Sequence, residues 1–140
     1  MYLRDATYEE VRVNLCCFMP NKDEHWQAVI DDNGELLGYL LSDLNDTTLR
    51  IHVLEVLCEG CRHGSKIIHW LFNTYNLDVI SGYSIAVASH FWSAIGATDL
   101  NECPINVGYR EDIDEEIEWE GEFVLTRSNF LNYWENRYLF

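Results

Sequence analysis

Between Leu49 and Asn76 the hydrophobic pattern changes period, and the change falls at a short turn containing Gly64. Leu49 to Leu57 is apolar and carries β-branched Ile51, Val53 and Val56, the composition of a strand. From Ser65 onward Ile67, Ile68, Leu71, Phe72 and Tyr75 recur at helical spacing, with Lys66, Asn73 and Asn76 off that face. A strand that enters a helix through a tight turn aims unpaired backbone N–H groups and the positive end of the helix dipole at one spot. Such a spot suits a phosphate. An ordinary strand-to-helix turn has the same outward pattern, since one glycine is weak evidence.

The rest of the chain arranges itself around this unit. Tyr2 to Arg4 reads as a short strand, and Thr7 with Glu10 has capping-box spacing for a helix over Tyr8 to Phe18, ended by Pro20. His25 to Ile30 and Leu36 to Leu41 flank Asn33-Gly34, a hairpin signal, and Asn45 to Thr47 turn the chain into the strand from Leu49. After the helix, Asp78 to Gly82 is a strand that a right-handed crossover places parallel to the preceding one. Ser84 is positioned to cap a helix through Ala86, Ala88, Phe91, Trp92 and Ile95 that stops at Gly96. Glu122 to Arg127 is a late strand, and Ser128 is a candidate cap for a last helix holding Phe130, Leu131, Trp134 and Tyr138. The element order predicts an α+β fold, a mixed sheet that is mostly antiparallel with one parallel crossover.

Bulk properties narrow the function. With 140 residues and 48% hydrophobic content the chain is one domain, residues 1–140, with a core over 1–97, an acidic loop over 98–121, and a strand and helix over 122–140. The net charge of −15 opposes direct nucleic-acid binding and favours basic partners. Much of it falls between Asp99 and Glu122, where Arg110 is the single base; such a block serves either as a solvated loop or as a surface for a cationic ligand. Five cysteines and no basic-then-apolar start imply a reduced, cytoplasmic protein, and no apolar run is long enough to span a membrane. The terminal Tyr138 to Phe140 suits a homodimer contact.

Three passages resemble the GNAT superfamily of N-acyltransferases: YLRDATYEEV from Tyr2, DDNGELLGYLL from Asp31, and the run from His52 through FWSAIGA to Ala97. The resemblance implies a sheet splayed between its fourth and fifth strands with helices on both faces. It also implies acetyl-CoA as co-substrate, with no metal. The family's coenzyme turn reads Arg or Gln, two residues, Gly, one residue, then Gly or Ala. Glu59 to Lys66, EGCRHGSK, fits it either with Glu59 in the Arg or Gln place and Arg62 for the first glycine, or with Arg62 as the Arg of a shortened loop. By this likeness Arg62, His63, Gly64, Ser65 and Lys66 hold the pyrophosphate, while backbone near Glu55, Val56 and Leu57 pairs with the pantetheine. Trp92 stands where many members have a tyrosine that protonates the leaving thiolate, and indole is no acid near neutral pH. Trp92 therefore packs against the coenzyme or the core, and Tyr83 and Tyr109 are the substitutes for the acid.

An attacking amine must be neutral, so a carboxylate or imidazole has to take its proton. Glu55 is where several family members place that base, and His52 is the second choice. Strict alternation puts Ile51, Val53, Glu55 and Leu57 on one face, where Glu55 interrupts an apolar row; a bulge would instead turn Glu55 to solvent. Cys58, Cys61, His63 and His69 lack the second ligand pair that structural zinc requires. Cys16 and Cys17 read as small core residues. The resulting expectation is acetyl transfer to a cationic amine, small molecule or protein, by direct attack. The alternative is an inactive GNAT-shaped acidic module that binds a basic protein.

Overall fold

A computed structural model describes residues 1–15, 19–58, 62–84, 89–99 and 121–137. Its elements are β1 (Tyr2–Ala6), α1 (Tyr8–Asn14), β2 (Trp26–Ile30), β3 (Leu36–Asn45), β4 (Thr48–Val56), α2 (His63–Thr74), β5 (Val79–Ser84), α3 (Ser89–Ala94), β6 (Thr98–Asp99), β7 (Gly121–Thr126) and α4 (Arg127–Asn136). The strands form one sheet in the order β1-β2-β3-β4-β5-β7-β6. All neighbours are antiparallel except β4 and β5, which the α2 crossover makes parallel. The predicted α+β architecture is the observed one.

Local chemistry explains most boundaries. Thr7 Oγ1 accepts the Glu10 N–H at 3.2 Å and opens α1. The helix is shorter than the sequence suggests: it ends at Asn14, and Leu15 is extended at φ −72°, ψ 137°. Only Val11 of α1 is buried, so further turns would anchor nothing, whereas an extended Leu15 packs into the same cluster as Val11. Phe18, Cys16 and Cys17 lie outside the described residues. In the β2–β3 turn Asp31 Oδ1 accepts the N–H groups of Asn33 and Glu35, both at 2.9 Å, and Gly34 takes φ +82°.

Two expected caps are corrected. Ser84 pairs with Gly121 as the last residue of β5, because β7 matches β5 along its whole length. At α4 the cap is Thr126, whose Oγ1 accepts the Asn129 N–H at 3.2 Å; the helix starts one residue before Ser128, leaving Ser128 in the first turn. Ala86, Ala88, the loop over 100–120 and residues 138–140 lie outside the described residues, while the short β6 extends the sheet beyond the predicted elements.

The sheet separates two apolar clusters. Val11, Trp26, Ala28, Ile30 and Tyr39 form the one under α1. The larger holds Leu49, Ile51 and Ile80 of the sheet with Ile67, Ile68, Leu71 and Phe72 of α2, and extends to Trp92 and Phe130 of α3 and α4. α2 closes with Asn76 at φ +51° and the Leu77 N–H bonded to the Phe72 carbonyl at 3.1 Å, a Schellman ending. Arg127 then donates to the carbonyls of Phe72 and Leu77, both at 2.7 Å, so the start of α4 ties down the end of α2.

Cys58, the only described cysteine, is disulfide-bonded. Its partner cysteine lies outside the described residues, and the expectation of a wholly reduced chain is corrected to that extent. Among the described residues no helix is long and apolar enough to cross a membrane.

Candidate active site

The site begins where β4 and β5 part. Their parallel pairing runs from Thr48↔Val79 to Ile51↔Gly82 and stops there. At that point β4 carries an extra residue: Leu41 faces Val53 and Ser42 faces Ile51, so His52 is a bulge. Gly82 marks the last contact, and a Cβ on it would stand 2.3 Å from the Ile51 carbonyl oxygen. Beyond this pair β4 and β5 are no longer paired, and one edge of β4 from His52 to Val56 has no described strand against it.

The bulge resets which residues face which way. Ile51 belongs to the cluster under α2, as do Leu54 and Val56, whereas Val53 packs under α1. The pleat places Glu55 with Val53, directly across from Tyr39. The expected common face for Ile51, Val53 and Glu55 is therefore corrected, and the bulge does not turn Glu55 outward, since it is 9% exposed. Leu57 is more open, at 38%, and its N–H is committed to the Leu37 carbonyl at 2.9 Å. Antiparallel alternation then turns the N–H and C=O of Leu54 and Val56 toward the splay.

At the far end of this edge stands the first turn of α2. Arg62 occupies its N-cap in the left-handed region, φ +62°, and its side chain makes no capping bond to the first-turn donors. Ser65 Oγ donates to the Arg62 carbonyl at 3.3 Å, Lys66 is exposed, and His63 holds a buried Nδ1 with no partner. Gly64 is required by packing: a Cβ there would meet the Phe91 ring at 2.8 Å. Neither Arg62 nor Lys66 has an ion-pair partner among the described residues.

No family model and no curated protein matches this chain. Solved structures do. Mutant forms of the spermidine/spermine N-acetyltransferase SpeG from Vibrio cholerae align over 94% of this chain and 97% of theirs, with TM-score 0.54 and 15% identity. Spermidine N-acetyltransferase from the same organism, in complex with CoA and spermine, aligns over 78% of this chain and 69% of its own at TM-score 0.51 and 16% identity. The chain has the GNAT fold.

Around this GNAT-fold splay it is the partners of the candidate residues, and the Tyr39, Glu10 and Arg4 network, that escape sequence reasoning. His52 Nε2 lies 2.6 Å from Asp43 Oδ2, an exposed pair that the bulge creates by pushing His52 out of register. Tyr83, the residue of β5 just past the last β4 contact, is half exposed with the Arg50 guanidinium 5.2 Å from its ring centre. Ile80 faces α2, so alternation puts Tyr83 on the Glu55 side of the sheet. Tyr109 lies outside the described residues. Next to Glu55, the buried Tyr39 hydroxyl donates to Glu10 Oε2 at 2.7 Å, and Arg4 grips the same carboxylate at 2.7 and 2.9 Å. Burial and the Glu10 carboxylate push the Tyr39 hydroxyl up to about 12, so it cannot serve as an acid near neutrality; the Arg4 hydrogen bond holds Glu10 below the usual carboxylate range. Trp92 takes the core option, 5% exposed and stacked on Phe123 with ring centres 4.0 Å apart. Among the described residues no His, Cys, Asp and Glu cluster could hold a metal ion.

Proposed function

We propose that the chain is an N-acetyltransferase that moves an acetyl group from acetyl-CoA to a cationic amine by direct attack. The observation that carries this reading is the coincidence of two features: a β4 edge at Leu54 and Val56 with no described strand against it, and a helix start, flanked by Arg62 and Lys66, whose N-cap side chain makes no capping bond. The edge suits the amide groups of pantetheine, and the helix start, with the N–H groups of His63, Gly64, Ser65 and Lys66, suits the pyrophosphate. Glu55 is the base. The acceptor ammonium first gives one proton to the Glu55 carboxylate, directly or through water, and the neutral nitrogen then forms a bond to the thioester carbonyl carbon. As the adduct collapses the C–S bond breaks, the nitrogen releases its second proton to solvent, and the departing thiolate takes a proton across the splay from Tyr83, which solvent then reprotonates.

A polyamine is the leading acceptor class. The SpeG structures concern spermidine and spermine, and the −15 charge of this chain favours a polycation on long-range electrostatics. Free thiol released from acetyl-CoA in the presence of spermidine tests the reading. Glu55→Gln should lower kcat by roughly 100-fold or more with little change in acetyl-CoA affinity, the weight of a lost general base. Absence of amine-dependent thiol release with spermidine, an aminoglycoside and a lysine-rich peptide would refute it.

A further inference from the structure

The distribution of positive charge sets α4 apart. The chain holds nine Lys and Arg against 24 Asp and Glu. Three of those nine, Arg62, Lys66 and Arg137, line a single cavity of about 1030 Å³ between α2, the end of α3 and α4, and among the described residues no acidic one lines it. In so acidic a protein, a cavity walled by cations and amides selects an anion. Arg62 and Lys66 come from the first turn of α2, while Arg137 closes α4 from the other side. Along α4, Asn129, Asn132 and Asn136 present amides at helical spacing to the same space. That wall is held in place: the Arg137 guanidinium lies 3.5 Å from the Trp134 ring centre and donates to the Trp134 carbonyl, and Trp134 stacks on His69 of α2 at 4.1 Å.

The cavity therefore has cations on two walls. A lone pyrophosphate needs only the α2 side. Coenzyme A carries a second, separate phosphate on its ribose 3′ oxygen. We infer that α4 forms the other half of the nucleotide site, with Arg137 and the Asn132 amide reading the coenzyme's 3′-phosphate. This rests on the acetyl-CoA reading above and adds a specificity to it: the protein should distinguish coenzyme A from its 3′-dephospho form.

Calorimetric titration of CoA and of dephospho-CoA into the full chain tests the inference. The wild type should bind CoA at least tenfold more tightly, the weight of one charge-assisted contact. Asn132→Asp keeps the oxygen that accepts the Asn136 amide at 3.2 Å and introduces one negative charge, so it leaves the helix contacts in place. Asn132→Asp and Arg137→Gln should each reduce the preference to threefold or less while leaving dephospho-CoA affinity within about threefold of wild type. Binding of CoA with no preference in the wild type, or a full preference retained in both variants, overturns the role of α4 and leaves the coenzyme site standing. Binding of neither ligand at millimolar concentration overturns both.

Discussion

Gly82 and Gly64 show how single backbone positions fix the geometry of the splay. At Gly82 an added methyl would press on the Ile51 carbonyl, which is part of the sheet; at Gly64 it would press on the edge of the Phe91 ring, which can shift. Gly82→Ala should therefore destabilise by about 3 kcal/mol or more and Gly64→Ala by about 1 kcal/mol, read by denaturant unfolding. Equal losses would refute the assignment of Gly82 as the closing point of the β4–β5 pairing. The two candidate bases separate in the same way. Glu55 is buried, whereas His52 sits on the surface against Asp43. His52→Gln should retain activity within a few fold while Glu55→Gln does not, and the reverse order in thiol release would move the base to His52. Glu55 was legible as an acid in an apolar row. Its true neighbours were not, because alternation on one strand cannot reveal an extra residue; the bulge at His52 exists only in the pairing with Leu41 and Ser42.

Among the elements, α2 depends on α4 at its C-terminal end and midway along its length. At its C-terminus Arg127 supplies the cation that α2 lacks, bonding the Phe72 and Leu77 carbonyls. Arg127→Ala should cost about 2 kcal/mol, since hydrogen bonds from a charged donor are lost at half-buried acceptors. Arg127→Lys should restore only part of it, because one ammonium replaces a planar fork. Midway along, His69 stacks on Trp134, and burial, followed by repulsion from Arg137, lowers its pKa below the ordinary 6.5. The unfolded chain takes up that proton first as pH falls. His69 therefore contributes fully above about pH 6.5, and stability declines as pH drops through the folded pKa. Melting temperatures from pH 7.5 to 5.5 should fall more steeply for the wild type than for His69→Gln; parallel curves would contradict the stacked, neutral imidazole. Helix and strand order, and the parallel crossover, were readable from periodicity. The ends of α1 and the caps at Ser84 and Ser128 were not, because Leu15 leaves its helix for a tertiary contact and β7 draws Ser84 into the sheet.

At the scale of the molecule the chain places cations sparingly. Arg4, Arg12 and Arg50 are paired with carboxylates and Arg127 with carbonyls, while Arg62, Lys66 and Arg137 line the α2–α4 cavity. This arrangement was only half visible beforehand: Arg62 and Lys66 lie beside the glycine turn, but Arg137 is 71 residues beyond Lys66 and reaches the cavity only through the packing of α4 on α2. A polyanionic ligand held there should bind less tightly as salt rises, since partly exposed charges are screened over about 10 Å at 0.1 M. The most direct test of the whole account is the melting temperature of the protein with and without millimolar acetyl-CoA, measured alongside the Arg62→Ala, Lys66→Ala double variant. The account predicts a clear upward shift for the wild type, as a ligand bound only by the native state requires, and a much smaller one for the double variant. No shift in the wild type, or equal shifts in both proteins, would contradict it.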